Sequence, residues 1–183
     1  MKFDELLSRY AIGERDFRSI NLKSDGTREG LKGADLRGIN LRGADLDHVF
    51  FMEVNLSGAN LFGAYLSYAI LISADLSHAN LCNANLYIGN LNFANLSFCN
   101  LEGADLSRAW LRNTNLLYTD LSRDNLVYAN LTDAKNIDIF CHDGVLLDQA
   151  PSWRATKVVR SGSLAAARRN ASRASSSGTP TIS

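Results

Sequence analysis

Leucine recurs at every fifth position through the middle of the chain. From Leu31 to Leu131 every fifth residue is leucine except Phe51. An α-helix turns about 100° per residue, so a period of five would spread the leucines around its surface, and a straight strand would alternate them between two faces. The chain must therefore turn once in every five residues, so that each leucine faces one common axis. The pattern predicts a solenoid of stacked coils with a leucine core.

The other positions of the repeat support a turn. Two residues before each leucine the side chain is usually small, as at Ala34, Ala59 and Ala84, because an inward position beside a leucine has little room. The residue directly before the leucine is usually Asn or Asp, as at Asp35 and Asn55. These side chains can bond nearby backbone groups and stabilise a turn, as the corners of each coil require.

The segments GADLR, GANLF, SADLS, HANLC and NANLY resemble the A(D/N)LXX motif of the pentapeptide-repeat family, in one register over residues 31–133. The resemblance implies an all-β fold, the right-handed quadrilateral parallel β-helix, with a coil of roughly 20 residues. It also implies roles in binding, which include protection of DNA gyrase by members that mimic DNA. The opening ELLSRYAIGERDFRSINL is similar to the start of cyanobacterial members, which implies a bacterial source.

Exceptions at the Asn/Asp position test the length of the coil. Between residues 35 and 130 these exceptions are Phe50, Tyr65, Ile70 and Trp110, and three of the four differ by multiples of 20 residues. This spacing indicates a four-sided coil with one specialised edge.

The repeat also divides the chain. We expect a short capping helix near Phe3 to Tyr10, followed by a degenerate coil in which Ile12, Phe17 and Leu22 keep the five-residue step. The predicted segments are 1–22 for the N-terminal cap and first coil, 23–30 for a register-breaking loop, 31–133 for about five solenoid coils, 134–153 for a C-terminal cap and 154–183 for a basic disordered tail.

Asp124 stands where the repeat calls for a small inward residue. A lone buried carboxylate is costly, so an inward Asp124 must be paired or protonated. We expect instead that a local bulge turns it outward.

Charge and cysteine usage narrow the function. Lys plus Arg equal Asp plus Glu at 19 each, so no specific nucleic-acid partner is predicted. The tail after Pro151 has six basic residues and no acid, and its sparse apolar residues do not support stable membrane insertion. Without a signal sequence or CxxC pairs, we expect a soluble cytoplasmic protein with reduced Cys82, Cys99 and Cys141.

We find no set of residues suited to catalysis. His48, His78 and His142 do not occupy equivalent positions on one face, and the adjacent Cys141 and His142 lack a second pair of metal ligands. The recurrent Asp and Ser residues belong to the turns. We therefore predict no enzymatic activity, no metal and no cofactor.

An apolar and aromatic stripe is the strongest candidate site. When residues that are 20 positions apart are aligned in columns, large side chains fall along one side of the solenoid, at outward positions that do not contribute to the core. This surface, called the aromatic edge below, consists of His48, Phe50, Met52, Tyr68, Ile70, Ile72, Tyr87, Ile88, Arg108, Trp110 and Tyr128. A shorter second column holds His78, Phe98 and Tyr118, with Phe93 and Leu117 beside it.

Three functions remain open. The first is an adaptor or regulator that binds an unidentified protein through the aromatic edge. The second is a DNA-mimicking modulator of gyrase or another DNA-binding protein, which is disfavoured because acids and arginines alternate around residues 31–133, with ten acidic against six basic residues. The third is a structural homodimer or larger homo-oligomer. Cross-coil stacking that merely stabilises the solenoid would also explain the stripe.

Overall fold

A computed structural model describes residues 1–22, 31–121 and 123–136. The chain begins with helix α1, Phe3–Ala11, with acidic residues in its first turn and an arginine in its last, as the helix dipole favours. Phe3 and Leu6 are buried in the leucine core. The Tyr10 hydroxyl donates a hydrogen bond to the Arg37 carbonyl oxygen at 2.9 Å. The helix therefore packs against the first coils, and it covers the residues for which a helix was expected.

Each regular pentapeptide consists of a β-turn and one extended residue. In the turn that begins at Leu56, the Ala59 N–H donates to the Leu56 carbonyl oxygen at 2.9 Å. The third residue of the turn, Gly58, has φ +67°, as a type II turn requires. The Oδ1 atom of Asn55 accepts the N–H of Ser57 at 3.1 Å, which is the turn-stabilising role expected of the Asn/Asp position.

Successive coils pair in parallel through residues that are 20 positions apart. Asn60 pairs with Asn80 and Asn80 with Asn100, and the Leu61 N–H donates to the Asn80 carbonyl oxygen at 2.7 Å. Four such columns run along the solenoid, so the coil has the predicted length. Within the described ranges each extended residue forms an isolated bridge and not part of a longer strand, because the next turn begins directly after it.

The first coil is four residues longer than the others. Asp16 pairs with Asn40 and Asn21 with Asp45, which are separations of 24 residues. The cause is the nine-residue step from Leu22 to Leu31 in place of the usual five. Residues 23–30 lie outside the described residues, so the loop proposed for them stays a prediction.

The core is a stack of leucines lined by small residues. Every fifth residue from Leu31 to Leu131 is buried, Phe51 included, apart from the half-buried Leu126. The second inward position is filled mainly by buried alanines. Each buried leucine contributes about 1.5 to 3 kcal/mol before the loss of chain entropy is subtracted.

Two details of the predicted core are wrong. Phe17 and Leu22 are buried, but Ile12 is 85% exposed because it follows α1 as its C-cap and does not reach the coil axis. Asp124 does not turn outward, since the Asp124 N–H still donates to the Leu121 carbonyl oxygen at 3.3 Å and the turn keeps its usual closure. The Asp124 side chain consequently points into the inward position and is only 8% exposed.

The C-terminal predictions fall largely beyond the described chain. The last described bridge joins Asn115 to Lys135. Most of the expected cap at 134–153, all of the tail at 154–183, and Cys141 with His142 lie outside the described residues.

Candidate functional site

The aromatic edge lies along one corner of the coil and the face that follows it. The bridges pair Phe50 with Ile70 and Asn90 with Trp110, so the side chains of this bridge column lie one above another. The neighbouring column consists of third turn residues, in which the His48 N–H donates to Ser67 and the Arg108 N–H to Val127. Folding the sequence by 20 residues thus predicted the two neighbouring columns of this surface.

Side chains of the edge contact one another between coils. The His48 and Tyr68 rings are stacked with their centroids 4.9 Å apart and an interplanar angle of 9°. The Tyr87 ring meets Tyr68 edge-on at 5.8 Å. Farther along, the Arg108 guanidinium lies 5.6 Å from the centroid of the Tyr128 ring, within the range of a cation–π contact. Packing between coils therefore holds much of this surface in place.

Exposure divides the edge into two groups. Tyr68, Trp110 and Tyr128 are 44%, 53% and 62% exposed, and His48 and Arg108 are exposed as well. The remaining members are half-buried, namely Phe50, Met52, Ile70, Ile72, Tyr87 and Ile88. The edge consequently presents projecting rings and a guanidinium above a floor of partly covered apolar side chains.

Backbone conformation adds a feature that the sequence reasoning missed. The third turn residues of the edge all have positive φ, for example Tyr68 at +59°, Ile88 at +56° and Tyr128 at +62°. This region favours glycine and disfavours bulky or β-branched residues. Glycines at the equivalent position of other turns, such as Gly58 and Gly63, were the available signal in the sequence.

The second column is more regular than the sequence suggested. The His78 and Phe98 rings stack at 4.9 Å with an interplanar angle of 4°, and Phe98 and Tyr118 follow at 4.9 Å and 33°. Phe98 and Tyr118 are 47% and 53% exposed, and the neighbouring Phe93 is 60% exposed. This ladder lies two turns away from the aromatic edge along the coil.

Acidic side chains do not form rows along the solenoid. In the described bridge columns no two acids are consecutive, and Asp35, for example, is followed by Asn55. Asp35 also pairs with Arg37 at 2.8 Å, and this hydrogen bond lowers the pKa of the Asp35 carboxyl. Arg18 pairs with Asp16 in the same way. Neighbouring arginines thus offset part of the negative charge.

The described part of the chain contains two histidines and two cysteines. His48 and His78 are stacked on rings of different columns. Cys99 is buried, and desolvation raises the pKa of its thiol, while Cys82 is half-buried with its thiol pKa raised by the same cause. Among residues 1–22, 31–121 and 123–136, no cluster of His, Cys, Asp and Glu has a metal-binding arrangement. The helix of this part of the chain is not long and apolar enough to cross a membrane.

These features define a class of protein, a repeat solenoid that displays side chains in fixed columns. The sequence profile described as Pentapeptide repeats matches eight copies in residues 31–58, 59–87 and 90–123. The chain belongs to the pentapeptide repeat family.

Solved structures of other proteins resemble this chain. The pentapeptide repeat protein Rfr23 from the cyanobacterium Cyanothece 51142 is 25% identical, with 72% of this chain and 97% of that chain covered and a TM-score of 0.51. The pentapeptide repeat protein alr5209 from Nostoc PCC 7120 is 31% identical, with coverage of 72% and 98% and a TM-score of 0.33. QnrB1, a plasmid-mediated fluoroquinolone resistance protein, is 15% identical in a trypsin-treated form, with coverage of 65% and 66% and a TM-score of 0.45. No curated protein matches the chain.

Proposed function

We propose that this protein is a non-enzymatic adaptor or regulator that binds another protein through the aromatic edge. The observation that carries the proposal is the occupancy of strained turn positions by large exposed side chains, among them Tyr68 and Tyr128. A left-handed backbone costs a non-glycine residue about 1 to 2 kcal/mol. Strain of this kind concentrates at functional surfaces, where the side chain has a use that glycine cannot supply.

The composition of the edge favours a protein as the ligand. Aromatic residues and arginine are enriched at the centres of protein interfaces, and Trp, Tyr and Arg dominate their binding energy. The edge provides Tyr68, Arg108, Trp110 and Tyr128 as exposed anchors. Trp110 is notable because neighbouring coils have Asn90 and Asn130 in its column, so no repeat requirement explains a tryptophan there.

The architecture suits such a role. We infer that the four-column coil is the right-handed quadrilateral β-helix of its family, a stiff support that holds the edge in one geometry. A pre-organised surface loses little conformational entropy on binding. No cofactor is needed for this function, and the free thiols of Cys82 and Cys99 favour a cytoplasmic location.

A DNA-mimicking role has less support. Mimicry of a duplex requires rows of negative charge, whereas the acids of the described columns are separated by Asn or Tyr, and Asp16 and Asp35 are paired with arginine. A homodimer formed through the same edge is the alternative that the experiment below must distinguish.

The test is affinity capture from host lysate with the native chain and an Ile70→Asn, Trp110→Asn double variant. Asn90 and Asn130 occupy this column in other coils, so the variant removes apolar surface without breaking the repeat. The matched control is the Phe98→Asn, Tyr118→Asn double variant, which removes exposed rings from the second column. Asn83 and Asn113 are third turn residues with positive φ in other turns, so asparagine is accepted at this position of the turn. Circular dichroism checks that all three chains fold alike.

We expect one protein to be captured by the native chain and the control and lost by the edge variant. Retention by the edge variant would refute the proposal, and loss by both variants would indicate non-specific apolar capture. Mass in solution settles the alternative, since an edge homodimer predicts a native dimer that becomes a monomer in the edge variant alone.

A further inference from the structure

Asp124 occupies an inward position that the four preceding coils fill with alanine. Its column runs Ala44, Ala64, Ala84 and Ala104, all at most 1% exposed, and the Asn125 N–H still donates to the Ala104 carbonyl oxygen at 3.0 Å. The carboxyl group is therefore placed inside the stack by the same backbone geometry that buries a methyl group elsewhere.

Only one of the two carboxyl oxygens of Asp124 has a hydrogen-bond partner among the described residues. Its Oδ1 atom accepts the N–H of Ala104 at 3.1 Å. The Oδ2 atom is buried and finds no hydrogen-bond partner among the described residues. A neutral acid tolerates such a site far better than an anion, because the cost of burying an unpaired charge greatly exceeds that of burying a polar group.

The surrounding charges add to this preference. Asp120 and Glu102 both act on Asp124 as like charges, and Glu102 is itself paired with Arg123. The Cys99 and Cys82 thiols lie close enough for the carboxylate to raise their pKa values. Among the described residues no cation forms an ion pair with Asp124.

We propose that Asp124 makes the last described coil a pH-sensitive joint, closed while the carboxyl is neutral and loosened when it is ionised. In a repeat solenoid each coil contacts only its neighbours and can open locally, so a charge at this position acts mainly on the coil that contains it. The proposal does not rest on the binding function proposed for the aromatic edge, although Tyr128 of that edge lies in the same coil.

The raised pKa of Asp124 sets the direction of the pH response and the pH range over which it occurs. Burial, reinforced by Asp120 and Glu102, raises the pKa of Asp124 to about 7 from an ordinary value of 3.8, against the opposing hydrogen bonds from Ala104 and Gly103. Between these values the folded coil holds a proton that the opened coil releases. The contribution of Asp124 to the stability of the closed coil is therefore largest below pH 3.8, falls as the pH rises toward 7, and changes little above that.

The experiment is amide hydrogen exchange of the full chain at pH 5.5 and 8, corrected for the intrinsic exchange rate. The Leu106 and Asn125 amides report on the joint, because their bonds connect the last two described coils, and the Leu61 amide reports on the middle of the solenoid. In the native chain we expect the opening equilibrium at Leu106 and Asn125 to increase about tenfold or more, with a smaller change at Leu61.

Two substitutions and one control complete the design. Asp124→Ala restores the alanine column and Asp124→Asn keeps the shape without the charge, so both should make opening independent of pH over this range. Asp133→Asn removes an exposed carboxylate near the same end and should leave the native response intact. A native chain with no response, or an equal response in Asp124→Ala, would overturn the proposal.

Discussion

The ring ladder of the second column offers a direct measurement of what stacking contributes to this solenoid. Phe98 and Phe93 belong to the same coil and have the same place in their turns, with φ of +58° and +63°. Phe98 stacks on both His78 and Tyr118, whereas no ring contact is found for Phe93 among the described residues. Replacing each phenylalanine by alanine thus changes the same residue type on the same backbone, and the difference between the two variants isolates the stacking.

The magnitude follows from burial and ring geometry. Phe98 is 47% exposed and Phe93 60%. On a side chain of about 200 Å² this difference is roughly 25 Å², or about 0.6 kcal/mol. Two ring pairs contribute about 0.5 to 1.5 kcal/mol each. Phe98→Ala should therefore lower the free energy of unfolding by about 1.5 to 3.5 kcal/mol more than Phe93→Ala, since the backbone cost is common to both.

The assay is urea unfolding followed by far-UV circular dichroism for the native chain and both variants. If the two variants lose the same free energy of unfolding to within about 0.5 kcal/mol, the prediction is refuted, because ring stacking would then contribute nothing beyond the burial of apolar area. That result would bear on the aromatic edge as well, since the stacked His48 and Tyr68 could no longer be explained as a stabilising pair.

Three further predictions concern the repeat itself. Leu81→Ala, in the buried middle of the stack, should cost about 2 to 5 kcal/mol in urea unfolding, and Leu126→Ala should cost less because Leu126 is half-buried. Gly58→Ala should lower the free energy of unfolding by about 1 kcal/mol. The left-handed backbone is the only cause, since an added Cβ meets nothing within 4 Å. An unchanged unfolding midpoint would contradict this prediction. Cys99, buried and with a raised thiol pKa, should resist iodoacetamide at pH 7 in the native chain and react in urea, as peptide mass spectrometry would show.

The regular coils could be predicted from the sequence because one constraint sets every repeat. A leucine at every fifth position requires one turn per repeat, and the apolar exceptions at Phe50, Ile70 and Trp110 agreed with the 20-residue coil that the family resemblance implied. Even the longer first coil is implied by the step from Leu22 to Leu31. The sequence was less informative where two requirements compete at one residue.

Ile12 and Asp124 illustrate that competition. Ile12 keeps the five-residue step, yet it also follows α1, and the end of the helix determines its position. At Asp124 the prediction assumed that desolvation would distort the turn. The backbone bonds of the coil prevailed instead, and the conflict is relieved by a shift in the pKa of the carboxyl group.

The positive φ of the third turn residue best distinguishes side chains that serve a function from those that the repeat alone explains. The turn would be most easily made by glycine, so a glycine there carries little information, whereas Tyr68, Ile88 or Tyr128 requires a compensating contact. For the second column that contact is visible, since His78, Phe98 and Tyr118 stack on one another. Ile88 belongs to no ring pair, and Tyr128 is 62% exposed and meets only the Arg108 guanidinium in the described contacts. Internal stacking therefore accounts for the second column more completely than for the aromatic edge, and this difference is the reason to look for a protein partner at the edge first.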